Sequence, residues 1–294
     1  MDGHDRLAER FEAHRAQLRT AAHRLLGSPS DAEDAVQETW LRLSRSDVRA
    51  VENLAGWLTT VIARVCYDML RSRRSRREEP GGWPLPELAG NGQDVPDPER
   101  EAVLTDSVSR ALLVVLETLG PAERVAFVLH DMFAVPFDEI AVIVERSPVA
   151  TKKLASRARQ RMRGTATAPD ADLARHRLVV TAFLAASRSG NLDALLAVLD
   201  PDVVRRSDPA ALPAGAATVV RGARAVAEEA VAFSRRSHYS EPALVNGAAG
   251  VVVAPGGQLH FALTFTIRDE RITEFTVIAD PHQLQELELA LLPA

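Results

Sequence analysis

The sequence PFDEIAVIVERSPVATKKLASRARQRMR, residues 136–163, decides the fold of the middle of the chain. Ile140 and Val144 recur at helical spacing and predict the inward face of a first helix. Ser147 is a good helix N-cap, and Pro148 follows at the first helical position, where its missing N–H costs nothing. The second helix then carries six cations and no acid: Lys152, Lys153, Arg157, Arg159, Arg161 and Arg163. This composition predicts a helix-turn-helix whose second helix enters a DNA major groove, and the alternative is a solvated basic helix that ends a bundle.

Two further helices are predicted upstream of this motif. A capping-box pattern at Ser30 and Glu33 predicts the start of the first, which runs through DAEDAVQETWLRL at residues 31–43. The second, NLAGWLTTVIARVCYDMLRSRRSRR at residues 53–77, contains an apolar stripe and ends in an arginine-rich segment. Such an exposed cationic helix end fits phosphate binding.

The polar face of this second helix carries Arg64, Asp68 and Arg71 at positions i, i+4 and i+7. The row fits either an ion-paired helix surface or a surface that contacts DNA. Periodicity alone leaves both interpretations open.

Composition changes divide the chain into four predicted segments. Residues 1–77 and 104–164 are helical and mildly basic, whereas residues 78–103 are acidic and rich in proline and glycine, as a linker is. Residues 173–294 begin with helices and continue with alternating, strand-like runs, which predicts an α+β domain. The predicted strands are 242–246, 250–254, 258–268 and 271–279, and an amphipathic stretch at 282–292 ends the chain.

Charge supports this division, because the net charge of −5 is unevenly distributed. Residues 1–77 carry 14 Lys and Arg against 11 Asp and Glu, whereas residues 78–103 carry 1 against 7. Local charge, rather than the whole-chain value, governs attraction to DNA. The single cysteine, Cys66, lies in an apolar stripe and is expected to be a small core residue. We expect no membrane-spanning segment, no metal site and no cofactor-binding motif. The expected location is the cytoplasm.

In combination, the three helical stretches resemble the two conserved regions of extracytoplasmic-function (ECF) sigma factors, over residues 10–163. The resemblance implies that Asp34, Gln37 and Glu38 dock on the β′ clamp of core RNA polymerase. It also implies that the Ser44–Asn53 loop captures a flipped base of the minus-ten element.

The same resemblance assigns the DNA contacts of both regions. Asn53, Arg64 and Arg71 match positions near the single-stranded and upstream duplex DNA of the minus-ten element. The positions that read the minus-thirty-five element are Lys152, Lys153, Ser156 and Arg157. One departure is Leu154, which stands where many relatives carry a basic residue.

The C-terminal segment resembles the SnoaL-like, cone-shaped α+β fold found in a subgroup of these sigma factors. The expected fold class is therefore a mainly α part, with two helical sigma domains of which the second contains the helix-turn-helix, followed by an α+β SnoaL-like cone domain. A glycine-rich motif of the subgroup is replaced here by residues 207–211, SDPAA. Enzymatic activity in this segment is the alternative to regulation, and its polar candidates are Asp208, His238, Tyr239 and His260.

The expected function is therefore promoter-specific transcription initiation by a sigma factor that is not itself an enzyme. The expected partners are core RNA polymerase, through its β′ clamp and β subunit, and promoter DNA. A simple helix-turn-helix repressor or activator is the second hypothesis, but it does not require the upstream helices or the acidic linker. The C-terminal domain is expected to make an intramolecular contact with the sigma domains, near residues 83–86, and so to regulate them. No cofactor and no membrane partner are expected.

Overall fold

The computed structural model describes residues 3–46, 53–77, 109–213 and 215–292. Residues 47–52 of the Ser44–Asn53 loop, which is expected to bind the minus-ten element, lie outside these described residues. So does the linker, with its residues 83–86. The described residues form two compact units. The first, the helical unit, consists of residues 3–77 and 116–161, and the second, the mixed unit, consists of residues 109–115 and 162–292.

Three long helices build the first part of the helical unit: α1 (Gly3–Leu26), α2 (Pro29–Arg45) and α3 (Leu54–Arg77). They pack through apolar side chains that recur at helical spacing on each inner face. The fully buried large side chains of these helices are Leu25, Leu26, Leu43, Leu58 and Ile62. Trp40 is only half-buried and packs its ring against Phe11 at a centroid distance of 5.1 Å.

The predicted capping box at the start of α2 is wrong by two residues. Ser28 is the N-cap, and its hydroxyl accepts a hydrogen bond from the Asp31 backbone N–H at 3.3 Å. Pro29 occupies the first helical position, because proline is preorganised for that position and lacks the N–H that would be unpaired there. Glu33 instead pairs with Arg15 on α1.

The second part of the helical unit contains the helix-turn-helix. Helix α4 (Arg110–Glu117) begins in the mixed unit and leads into this part, which consists of α5 (Pro121–Phe127), a π-helical turn (Val128–Met132), α6 (Phe137–Val144) and α7 (Pro148–Arg163). Ile140 and Val144 are fully buried, as their spacing predicted. Glu145 ends α6 in the left-handed conformation, with φ of 55°. The Ser147 hydroxyl accepts from the Ala150 N–H at 3.2 Å, which confirms the predicted cap.

The mixed unit is an α+β fold with a seven-stranded sheet. Its helices are α8 (Asp170–Ser189), α9 (Leu192–Val198), α10 (Ala223–Ala232), α11 (Ser234–Ser237) and α12 (Pro281–Glu286). The strands are β1 (Leu199–Ser207), β2 (Val219–Arg221), β3 (Ser240–Val245), β4 (Ala248–Val253), β5 (Phe261–Arg268), β6 (Arg271–Ile278) and β7 (Leu289–Ala290). The sheet order is β2-β1-β6-β5-β4-β3-β7, and β1 pairs with β6 in parallel while the other pairs are antiparallel.

A core of aromatic and aliphatic side chains joins α8 to the sheet. Phe183 lies against Phe265 and Phe275, each at a ring-centroid distance of 5.5 Å. The helical first part and the α+β second part confirm the expected fold class.

Several strand boundaries differ from those predicted. β1 was not predicted, because its arginines and Pro201 obscure the alternation of buried positions. β5 begins at Phe261 rather than at 258, because Pro255–Gly257 forms a 3-10 turn before it. The final stretch, 282–292, divides into the end of α12 and the short β7, which pairs with β3.

The β3–β4 turn provides a test of backbone strain. Gly247 has φ of +77°, and a Cβ there would meet the Thr165 carbonyl oxygen and the Thr167 methyl, both at 2.7 Å. Gly247→Ala should lower the free energy of unfolding by about 2–3 kcal/mol, since a left-handed residue costs about 1–2 kcal/mol and the contact adds to it. Urea denaturation of the full chain measures this loss.

Gly215→Ala is the matched control, because Gly215 has φ of +83° but no atom of the other described residues lies within 4 Å of the position that a Cβ would take. The free energy of unfolding of Gly215→Ala should therefore fall only by the cost of a left-handed non-glycine residue, about 1–2 kcal/mol. Equal losses in the two variants would show that the close approach at Gly247 has no energetic effect.

Candidate nucleic-acid interface

Helix α7 has one buried face and one exposed basic face. Its buried stripe recurs at helical spacing and consists of Thr151, Ala155, Ala158 and Met162. The four residues expected to read the minus-thirty-five element are all exposed: Lys152, Lys153, Ser156 and Arg157. Leu154 is half-buried, so this departure from the family pattern serves packing and not the exposed surface.

Five of the six cations of α7 fall into two groups. Arg159 donates to both carboxylate oxygens of Asp131, at 2.6 and 3.1 Å, and Arg161 donates to Glu123 at 2.9 Å. In the described part of the chain, no carboxylate pairs with Lys152, Lys153 or Arg157. The first group therefore holds α7 against the preceding helices, whereas the second is available to a phosphate or a base edge.

The residues expected to bind polymerase lie on the outer face of α2. Asp34 and Gln37 are exposed, and Glu38 accepts a hydrogen bond from Arg42 at 2.9 Å, one turn along the helix. Since the buried face of α2 carries Ala35, Val36 and Leu43, all three expected residues are outside the packed stripe.

The residues expected at the minus-ten element lie along α3. Arg64 and Arg71 are exposed, and the Arg71 guanidinium lies over the Tyr67 ring at 5.7 Å. Asp68 pairs with neither of them in the described part of the chain, so the row is not an internal ion-paired surface. Asn53 caps the helix, because its side-chain oxygen accepts from the Gly56 N–H at 3.0 Å.

Within the helical unit, α3 also packs against the helices of the second part. Arg64 lies 4.0 Å from Glu145, which ends the first helix of the helix-turn-helix. Arg24 on α1 lies over the Phe133 ring at 5.1 Å. Both expected DNA-reading surfaces are therefore drawn together in one compact body.

Arg124 on α5 is the charged residue at the centre of this packing. It is only 3% exposed, and a Cβ at Gly27 would meet its Nη2 atom at 3.2 Å. Burial and the Arg124 charge together lower the pKa of His23 on α1. Local spacing did not predict this burial, since the groups involved come from three separate helices.

In the mixed unit, the start of α4 is held by the segment that begins β3. The Glu241 carboxylate accepts from the Ala111 backbone N–H at 3.2 Å and from the Ser109 hydroxyl. Arg110 lies 3.9 Å from the same carboxylate, donates to the His238 carbonyl at 3.4 Å and lies over the Tyr239 ring at 5.5 Å. A carboxylate at a helix start pairs with otherwise open N–H groups and with the positive end of the helix dipole. We call this set of contacts the α4 clasp.

The four polar residues considered for catalysis lie in different local environments. Asp208 accepts from the backbone N–H groups of Ala279 and Asp280, at 2.9 and 3.1 Å, so its role is structural. His238 is exposed, and Tyr239 is buried beneath Arg110. His260 precedes β5 instead of lying within a strand, and burial lowers its pKa.

Two other sequence expectations concern metals and cysteine. Among the described residues, no three His, Cys, Asp or Glu side chains group as metal ligands do. Cys66 is buried, as expected of a small core residue, and burial raises the pKa of its thiol to about 12. None of the helices in the described ranges has the length and apolar character needed to cross a bilayer.

Comparison with known proteins gives two family matches. Residues 10–76 match the sigma-70 region 2 family, and residues 109–162 match the sigma-70 region 4 family. The probable ECF RNA polymerase sigma factor SigI of Mycobacterium tuberculosis is 35% identical over 99% of this chain and 99% of its own length. The ECF RNA polymerase sigma factor SigJ of the same organism is 39% identical over 92% of this chain and 91% of its own length. The crystal structure of SigJ covers 97% of this chain and 100% of the solved chain, with a TM-score of 0.45.

Proposed function

Because this chain belongs to the family of ECF RNA polymerase sigma factors, we propose specific roles for its exposed surfaces and for its C-terminal domain. Members of the family bind core RNA polymerase and direct promoter-specific initiation, and this chain does so too. They are initiation factors and not enzymes. The family acts on cytoplasmic polymerase, and we place this chain in the cytoplasm on that ground.

Lys152, Lys153, Ser156 and Arg157 read the minus-thirty-five element. The observation that supports this assignment is the division of cations on α7: Arg159 and Arg161 are held by carboxylates, whereas Lys152, Lys153 and Arg157 have no carboxylate partner among the described residues. In helix-turn-helix proteins, the N-terminal residues of the recognition helix contact base edges.

Arg157→Ala and Arg159→Ala form a matched pair that tests this assignment. Each removes one charge from α7, but the Arg159 guanidinium is already held by Asp131. Arg157→Ala should weaken binding to a selected minus-thirty-five duplex by about 1–3 kcal/mol, as loss of a base contact does. Arg159→Ala should change it by less than about 0.5 kcal/mol.

The duplex is one recovered from a random library by the wild-type chain, and fluorescence anisotropy measures its affinity at fixed salt. A scrambled duplex is the specificity control. Equal loss in both variants would place the recognition surface elsewhere on α7.

Asp34, Gln37 and Glu38 form the surface that binds the polymerase β′ clamp. Their support is exposure on α2 outside its buried face, together with the family match over residues 10–76. We also propose that the second family-matched region contacts the polymerase β subunit.

The minus-ten element is bound by the Ser44–Asn53 loop together with Asn53, Arg64 and Arg71.

Charge reversal on α2 tests the polymerase surface. The double variant Asp34→Lys, Glu38→Lys should lower affinity for core polymerase at least about tenfold, because like charges opposed across an interface cost several kcal/mol. Glu9→Lys reverses another exposed acid of the helical unit and should have no comparable effect. Far-ultraviolet circular dichroism should stay unchanged in both, and normal holoenzyme assembly by the double variant would contradict the proposal.

The helical unit represents a closed state that must open on a promoter. Arg64 and Glu145 are 4.0 Å apart, and the 16-residue α7 is about 24 Å long. The minus-ten and minus-thirty-five elements are separated by roughly 25 base pairs, which is about 85 Å of B-form DNA. One compact body of this kind does not reach both elements, so the two family-matched regions have to separate.

The C-terminal domain regulates this opening through the α4 clasp. Helix α4 is continuous from Arg110 to Glu117 and enters the second family-matched region. A restraint on its first turn therefore restrains the chain that leads to the recognition helix. This is an intramolecular contact with the sigma part of the chain, although the expected position at residues 83–86 lies outside the described residues.

Glu241→Gln tests the clasp with little change of shape. It removes the charge that interacts with the α4 N-terminus and with Arg110, and a hydrogen bond to a charged group is worth about 1.5–3 kcal/mol. We expect holoenzyme formed with this variant to bind a promoter fragment several-fold more tightly than wild type. Glu274→Gln is the control, because Glu274 is an acid on β6 that pairs with Arg206 on β1 and belongs to no contact of the clasp. Unchanged promoter binding in Glu241→Gln would contradict regulation through the clasp.

A further inference from the structure

The mixed unit contains a cavity of about 130 Å³ between its helices and its sheet. Most of its wall is apolar and includes Phe183, Phe261 and Phe275. An engineered apolar cavity of about 150 Å³ holds one benzene molecule, so this volume is suited to a single ring or a short chain. None of the four residues considered for catalysis lines it.

The wall also contains a buried hydroxyl without a partner. Ser187 on α8 is 4% exposed, and its Oγ atom has no hydrogen-bond partner among the described residues. Most serines in a helix bond a backbone carbonyl or face solvent. A buried hydroxyl left unpaired is unfavourable, and a ligand that pairs with it recovers that free energy.

The second polar group on the wall is the Arg205 guanidinium, whose charge is neutralised by an ion pair. Arg205 is 4% exposed, and it donates to Glu229 from Nη2 at 2.6 Å and from Nε at 3.1 Å. Its Nη1 group donates to the Ser207 hydroxyl at 2.9 Å and to the Ala217 carbonyl at 3.0 Å. Because Glu229 already neutralises Arg205, an ionised ligand would lose its hydration without gaining a counter-charge.

We propose that this cavity binds a small uncharged molecule, about the size of one aromatic ring, with a single hydroxyl or carbonyl that pairs with Ser187. The apolar wall supplies the binding free energy, and the unpaired Ser187 hydroxyl supplies orientation. Neutrality of the Arg205–Glu229 pair discriminates against carboxylates and amines.

The position of the cavity connects its occupant to the α4 clasp. Ser237 and Ser240 line the cavity, and His238, Tyr239 and Glu241 hold the start of α4. A ligand that contacts Ser237 and Ser240 therefore touches the five-residue segment 237–241, and other residues of the same segment form the clasp. This coupling rests on the regulatory role proposed above, whereas binding itself does not.

The test uses the full chain with three defined ring compounds: phenol, toluene and benzoate. Two-dimensional amide NMR follows a titration with each, since the expected affinities are weak. Phenol should produce saturable shifts in residues 183–187 and 237–241, and benzoate should bind at least tenfold more weakly. Absence of saturable phenol shifts, or equal binding of benzoate, would overturn the proposal.

Ser187→Ala isolates the hydroxyl contact, and Ser189→Ala is its matched control on an exposed position of the same helix. Ser187→Ala should weaken phenol about two- to tenfold, the range for one neutral hydrogen bond, and leave toluene unchanged. An equal effect on phenol and toluene would overturn the role of Ser187. Ala230→Leu fills the cavity and should abolish binding of both, and retained binding would place the site elsewhere.

Two outcomes separate this inference from the regulatory proposal. Phenol shifts confined to the cavity-lining segments 183–187 and 237–241, without change in the amides of residues 109–111 at the start of α4, would overturn the coupling to the clasp. Promoter binding that is unaffected by Glu241→Gln would remove the regulatory role, while the phenol titration would still decide the cavity site.

Discussion

Burial of Arg124 is the interaction on which the closed helical unit depends. Its guanidinium is near Gly27, at the turn between α1 and α2, and its charge acts on His23 of α1 and on Cys66 of α3. Removing an ion from water costs several kcal/mol unless its partners repay that cost. In the proposed opening, separation of the two family-matched regions would return Arg124 to water, and the recovered hydration would offset part of the contacts that are lost. Contacts with polymerase and DNA then need to supply only the difference.

The charged side chains of the same unit are of two kinds: some form ion pairs between its helices, and others face outward. Arg159 and Arg161 fix α7 to Asp131 and Glu123, and Arg73 at the end of α3 pairs with Asp31. Arginine suits such fixed pairs because its planar fork matches a carboxylate. In the proposed assignment, the outward set, with Lys152, Lys153 and Arg157 on α7, supplies the sequence-independent and sequence-specific parts of DNA binding. A count of the cations along the helix would then overstate how many of them contact DNA.

Sequence predicted the local features of this protein better than its long-range pairings. The Ser147–Pro148 cap and the buried Ile140 and Val144 followed from spacing and capping chemistry, and both are confirmed. β1 was missed because a strand with polar residues on one face and Pro201 near its start lacks a clear alternation. The exposed positions of the candidate site were predictable as residues outside the apolar stripes. Their ion pairs were not, since Asp131 and Glu123 are separated from their partners by 28 and 38 residues.

Residues 207–211 brace one side of the cavity in the mixed unit. In place of a glycine-rich sequence, Asp208 ties the end of β1 to the backbone after β6, and Ser207 accepts from Arg205. Ala211 and Leu212 continue from this brace into the cavity wall. The segment therefore fixes the Arg205 side chain and one side of the cavity at once. Because Ser207 and Asp208 are both held by hydrogen bonds to other side chains and backbone, this side of the wall is fixed, and a fixed wall is the condition under which the proposed occupant can act on the α4 clasp.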